Sequence, residues 1–369
     1  MINCKDKYYD GSKYIIKEIS QQGELWQRVF EQISNELSEL DVYVKNFNKV
    51  IFLGAGTSEF VGNVVTRALN KYDREYLSIS TTDFITNPEY YLQKDEKVLF
   101  VSIARSGNSP ESVEAVNLGS SLSKTVKHLI ITCNKNGKLA LLDDCMKIIL
   151  PMEANDKSFA MTSSFTSLIL ASYLIFAENR EESESNLSKL LKNFSDIINE
   201  FDKKLEKIMM PSYDRIVFLG TNVLKAIAQE SALKVMELSA GRIATLHDSF
   251  LGYRHGPVTF TYGDKKTLVV AYLSSKEKTR KYEKDMLIEL NQFKFSNQIL
   301  IIDNVNCDDM DNLADEIIKI DSSMNEIYYG MNCIIVAQLI GLMSSWKYGI
   351  DPDEPYKNGE CSGNANIYQ

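Results

Sequence analysis

Histidine is scarce in this chain: three in 369 residues. Proline is nearly as rare at seven, and the six cysteines (Cys4, Cys133, Cys145, Cys307, Cys333 and Cys361) include no CxxC pair. That scatter excludes a zinc framework and the dense pattern of a small disulfide-stapled secreted domain. Reduced thiols in a cytoplasmic protein are expected instead. HExxH is absent and His247–Asp248 lacks a cysteine partner, so no metal and no other cofactor is expected. Basic side chains are outnumbered 41 to 50, giving a net charge of −9. A nucleic-acid partner needs a basic surface and is not expected. A small anionic substrate stays compatible, because it responds to the local field. The longest apolar stretches, around Leu168–Ala177 and Ile334–Met343, fall short of the ~20 residues of a membrane span. The opening MINCKDKYYDG has no apolar signal core, so no membrane role is expected.

What the chain does have is a repeat. KVIFLG at 49–54 recurs as RIVFLG at 215–220, followed by VLFVS at 98–102 and LVVAY at 268–272, HLIIT at 128–132 and ILIID at 299–303, and KIIL at 147–150 and IIKI at 317–320. Each pair is separated by about 170 residues, with helical patterns between the runs. Short runs of Val, Ile, Leu and Phe read as strands buried on both faces, and helices between them imply parallel crossovers. The expected fold is α/β: two tandem doubly wound domains, each a parallel sheet flanked by helices. The expected boundaries are a helical extension over 1–40, domains at 41–200 and 201–350, and a tail from 351 to 369.

Doubly wound sheets bind ligands beyond the carboxyl ends of their strands. Gly54-Ala55-Gly56-Thr57-Ser58 lies there after the first run, with hydroxyls beside free backbone N–H groups at a helix start. Ala104-Arg105-Ser106-Gly107-Asn108-Ser109-Pro110 follows the next run, with Ser109 fitting an N-cap and Pro110 the first helical position. Either loop alone is equally explained by helix capping. GAGTSE is not a dinucleotide fingerprint, because Glu59 stands where the third glycine belongs, and no P-loop is present. Two such loops on neighbouring strands suit one phosphate monoester.

The second half carries the titratable groups. Glu230, Lys234 and Glu237 share one face of a helical pattern, an arrangement usually found as a solvated ion-pair surface. His255 precedes Gly256-Pro257 on a turn, where a general acid or base can project. His128, at the start of an apolar run, is given no role.

These residues carry a resemblance to the SIS (sugar isomerase) domain family. ARSGNS at 104–109 corresponds to its SxSGxT phosphosugar loop, ESALKVME at 230–237 to its ESALKxxE element, and His255-Gly256-Pro257 to its HGP element. The resemblance spans about residues 40–355. ARSGNSPES, SFAMTSSFTS at 158–167 and DSFLGYRHGP further resemble the AgaS type, galactosamine-6-phosphate deaminase/isomerases also called tagatose-6-phosphate ketose/aldose isomerases. Glucosamine-6-phosphate synthase is a more distant resemblance. Its glutaminase domain and tail lysine have no convincing match; Cys4 is not at the terminus and Lys357 receives no role.

The resemblance implies substrate binding by Gly56, Thr57, Ser58, Arg105, Ser106, Gly107, Asn108, Ser109, Thr162 and Glu230. Arg105 stands beside Ala104 where the synthase loop has Ser-Gln, and is expected to contact the phosphate or stack over the sugar. It further implies ring opening by His255, C2-to-C1 proton transfer by Glu237, and polarisation by Lys234. A homodimer with its active site at the subunit interface is implied as well. Competing functions are another SIS enzyme, either a fructosamine-6-phosphate deglycase or an aldose–ketose isomerase, and a non-catalytic phosphosugar sensor. Glu237 and His255 weigh against the sensor, since binding alone needs neither.

Overall fold

A computed structural model describes residues 12–69, 74–178, 180–292 and 297–356. Cys4, Lys357 and Cys361 lie outside the described residues. The elements run α1 (Lys13–Ser20), α2 (Gln22–Val44), β1 (Lys49–Gly54), α3 (Thr57–Ala68), β2 (Glu75–Ser80), α4 (Thr81–Thr86), α5 (Pro88–Tyr91), β3 (Leu99–Ala104), α6 (Pro110–Leu122), β4 (Lys127–Thr132) and β5 (Met146–Ile149). They continue α7 (Ser163–Phe176), α8 (Ser183–Met209), β6 (Arg215–Leu219), α9 (Val223–Leu238), β7 (Ala244–Asp248), α10 (Phe250–Arg254), β8 (Thr267–Tyr272), α11 (Glu277–Gln292), β9 (Gln298–Asn304), β10 (Glu316–Ile320) and α12 (Glu326–Lys347). The chain divides into two compact units. The first holds Gln21–Lys157 and Met161–Glu181; the second holds the residues up to Ser20, Ser158–Ala160 and Glu182–Pro355.

The first sheet has strand order β2-β1-β3-β4-β5, and the second has the same order, β7-β6-β8-β9-β10. Every pairing is parallel. Two doubly wound α/β sheets are thus present, as the repeat predicts. Two strands the apolar runs do not reveal are β2 and β7. Both are edge strands, and β7 is nowhere fully buried, so neither needs an unbroken apolar run.

Alternation along the strands sorts the side chains between two faces. In the first unit, Ile51, Leu53 and Phe100 pack on Phe84, Leu92 and Ala115. Phe52 faces the other way and meets Phe176 of α7 edge-on at 5.3 Å. All of α7 is buried, because α2 and α3 pack on it. One of its polar groups is paired inside: Trp26 Nε1 donates to Thr166 Oγ1 at 2.9 Å, and that hydroxyl donates to Gln22 at 2.7 Å, whereas the buried Ser167 and Ser172 hydroxyls have no hydrogen-bond partner.

In the second unit, Val217, Val269, Ala271 and Ile301 pack on Phe250, Tyr253 and Met286. On the opposite side α9 and α12 approach closely. A Cβ on Gly330 would lie 2.9 Å from Ile227, and one on Gly341 2.7 Å from Leu238. Helix α12 has the length and composition of a membrane span, but 94% of its apolar window is buried inside the protein. Its apolar surface is spent on α8 and α9.

Candidate active site

In the first unit, the turns after β1 and β3 lie on adjacent strands at the sheet's carboxyl end. Gly54 is required there, since a Cβ would stand 2.4 Å from the Ser58 backbone. Gly56 takes a φ of +56° just before α3. Thr57 and Ser58 are both buried. One expected feature is corrected: the Ser58 N–H is not free but donates to Ala55 O at 3.2 Å, closing the turn.

The β3–α6 turn is braced from beneath. Asn134 donates to Ser106 O at 2.9 Å, the Lys138 N–H to Asn108 Oδ1 at 3.1 Å, and the Leu139 N–H to Gly107 O at 2.9 Å. Gly107 has a φ of +65°. Ser106 and Asn108 are exposed. Ser109 is the N-cap residue of α6, but its hydroxyl donates to Glu111 Oε2 at 2.6 Å and makes no capping bond. Pro110 takes the first helical position as expected.

Behind this turn lies Asp156, a residue sequence reasoning missed. Its carboxylate accepts the N–H groups of Thr162 (2.8 Å), Ser163 (3.2 Å) and Ser164 (2.9 Å), and the Ser164 hydroxyl at 2.6 Å. It therefore holds the first turn of α7. Burial pushes this carboxyl up, against the pull of those donors and of the Arg105 charge. Thr162 is fully buried, its N–H committed to Asp156. A carboxylate six residues ahead of a Thr-Ser-Ser helix start was the available signal.

In the second unit, Glu230, Lys234 and Glu237 lie on α9. The expectation of a solvated ion-pair face is corrected here, because Lys234 and Glu230 have no exposure at all. Lys234 Nζ stands 3.2 Å from Glu230 Oε1 and 2.5 Å from Glu237 Oε2. Burial alone would lower the ammonium, but the two carboxylates outweigh it and hold it above the usual lysine range. Glu237 keeps 21% side-chain exposure. The cluster thus presents one carboxylate to the outside, fixed from within by a buried cation.

His255 terminates α10 and is exposed. Gly256 follows with a φ of +115°, and Pro257 opens the next short turn. Two side-chain contacts hold the approach to His255. Ser249 accepts from the Gly252 N–H at 3.0 Å, and Asp248 pairs with Lys225 at 2.7 Å. Asp248 is thereby engaged with a lysine. Burial and the Lys225 charge hold His247 below the usual histidine range. His128 is buried in β4 with Nε2 2.9 Å from Ser120 Oγ, and burial lowers it to about 4. Among the described residues no group of three His, Cys, Asp or Glu is placed to hold a metal ion.

Comparison with known proteins places this geometry. The SIS domain profile matches residues 44–178. The D-galactosamine-6-phosphate deaminase AgaS of Shewanella sp. (strain ANA-3) is 37% identical, over 97% of this chain and 92% of its own. That of Escherichia coli O157:H7 is 33% identical, over 93% and 91%. The crystal structure of tagatose-6-phosphate ketose/aldose isomerase from Escherichia coli matches with a TM-score of 0.84 and 32% identity, covering 94% of this chain and 97% of that one. With two repeated parallel sheets, the SIS motifs in the β3–α6 turn, on α9 and after α10, and relatives of this similarity along nearly its full length, the chain belongs to the SIS domain family, in its AgaS branch.

Proposed function

We propose that this protein is an amino-sugar-phosphate deaminase/isomerase that converts galactosamine-6-phosphate and water to tagatose-6-phosphate and ammonia. The observation that carries the chemistry is the α9 cluster. A general base at C2 must be ionised, fixed and reachable, and Glu237 is held by Lys234 while one side stays exposed. His255, on its exposed turn, moves a proton between O5 and O1 to open the ring. Glu237 then takes the C2 proton and returns it to C1, which turns the open-chain amino aldehyde into a 2-imine with a hydroxymethyl C1. Water adds to the imine carbon and ammonia leaves. Lys234, itself paired with Glu230, orients the Glu237 carboxylate. Proton transfers of this kind contribute roughly 10²–10⁴-fold.

The phosphate anchor belongs to the first unit. Ser58 and Ser106 supply hydroxyls, Ser109 a third on leaving Glu111, Asn108 an amide, and Gly56 and Gly107 the turns that present them. Arg105 adds a cation, and Thr162 joins through the Asp156 carboxylate on which that cation acts. We extend the proposal to a cytoplasmic homodimer in which His255 completes the neighbouring copy's site. It is supported by the exposure of His255 at the end of α10.

The test is ammonia release by the purified chain from galactosamine-6-phosphate, with glucosamine-6-phosphate in parallel. Release from the galacto sugar is expected, and release from the gluco sugar alone would reassign the C4 preference. No release from either, with binding of a sugar phosphate retained, would overturn the reading in favour of a deglycase or a sensor.

A further inference from the structure

The turns at the carboxyl end of the second sheet repeat those of the first, and the Glu283 carboxyl group lies between them. Strand order reverses between β6 and β8, the place where an open α/β sheet leaves a crevice at its carboxyl end. The β6 turn copies the β1 turn. Asn222 has φ +55° and ψ −115°, against +56° and −127° at Gly56. A Cβ on Gly220 would meet the backbone at 2.4 Å, the same distance as on Gly54. Sheet register extends the match. Counting from Val50 paired with Leu99, and from Ile216 paired with Leu268, Thr221 stands in the place of Ala55 and Ser274 in the place of Arg105.

Glu283 of α11 enters between these two turns, with no exposure. Thr221 Oγ1 donates to its Oε1 at 2.9 Å, and the Ser274 N–H to its Oε2 at 3.0 Å. The crevice is poorer in positive charge than its counterpart, because serine replaces Arg105. Arg280, one turn before Glu283 on α11, is engaged with Asp303 at 2.6 Å and Asp309 at 2.5 Å. From α12, Glu326 accepts from Ser274 Oγ at 2.8 Å and adds negative charge. Burial in this setting pushes the Glu283 carboxyl up to about 7, against the two donors and Arg280.

We infer that the β6–β8 crevice is a second ligand crevice, kept shut by the Glu283 side chain, whose ligand class once emptied is a small carboxylic acid and not a phosphate. One consequence, that each chain takes up a single sugar phosphate, rests on the function proposed above; the crevice itself does not.

The experiment uses the full chain carrying Glu283→Ala, with its thermal midpoint measured in sodium acetate or formate against sodium chloride of equal ionic strength, near pH 5, where part of the acid is protonated. The midpoint is expected to drop by about 5 °C and to recover in part with acetate or formate, while wild type does not respond. Failure of acetate to exceed chloride, or an equal response of wild type, overturns the inference. Better recovery with inorganic phosphate overturns the ligand class. Should the alanine variant not fold, Glu283→Gln keeps the shape without the titration. A carboxyl raised in the folded state lends stability at low pH that is lost as pH rises through about 7. Wild type is therefore expected to lose stability over that rise relative to Glu283→Gln, and superimposable pH profiles would overturn the plug. Neither measurement involves turnover, so a negative ammonia assay leaves both results standing.

Discussion

Lys234 shows what a single residue decides here. Removing one partner of a buried ion pair typically costs 3–5 kcal/mol, because the other charge is left uncompensated. Glu230, with no exposure, would be that charge. Glu237 is a different case, since its partial exposure lets its charge be removed cheaply. Glu237→Gln is expected to lower kcat by roughly 10²–10⁴-fold, with sugar-phosphate binding and the thermal midpoint close to wild type. Steady-state kinetics beside a binding titration check this, and near-normal turnover would remove Glu237 from the mechanism. The spacing of Glu230, Lys234 and Glu237 was legible in the sequence. Their burial was not, because α12 covers α9 from a hundred residues away.

At the scale of elements, the turn after β1 depends on its first glycine. A Cβ on Gly54 would press into the Ser58 backbone, which cannot rotate aside as a side chain could. Gly54→Ala is expected to destabilise the protein by about 1–3 kcal/mol. It should also raise KM for the sugar phosphate more than it lowers kcat, because the displaced groups bind and do not react. Urea unfolding and kinetics together read both effects, and an unchanged KM would detach this turn from the phosphate. Turns of this kind were readable as tight turns, since glycine at a strand's end marks a close backbone approach, although helix capping explained either loop equally well. The edge strands β2 and β7 were not, because half-exposed strands carry no continuous apolar run. Helix α12 is the converse case, apolar enough for a membrane by composition and yet enclosed by the protein.

At the scale of the whole molecule, the two sheets share one topology and differ in the side chains at their carboxyl ends. The first presents open turns with hydroxyls and Arg105. The second carries the buried cluster on α9 and closes its own crevice with Glu283. The proposed dimer adds a test of assembly. If His255 serves the neighbouring copy, mixing inactive Glu237→Gln and His255→Ala chains should restore about a quarter of wild-type activity, since half the dimers are mixed and each of those holds one intact site. Mixed chains that stay inactive after subunit exchange would confine each site to one copy.

The amino-acid sequence by itself determined the repeat, the parallel doubly wound class and the order of the SIS motifs. Strands buried on both faces must be written as apolar runs, and tight turns must be written with glycine, so these features leave local marks. Only the tertiary structure decided which members of the charged α9 face are dry, that Asp156 holds the start of α7, and that Glu283 fills the second crevice. Each of those outcomes depends on packing between elements or on a carboxylate reaching donors in a separate turn, and charge and burial of that kind are set by neighbours that no local pattern encodes.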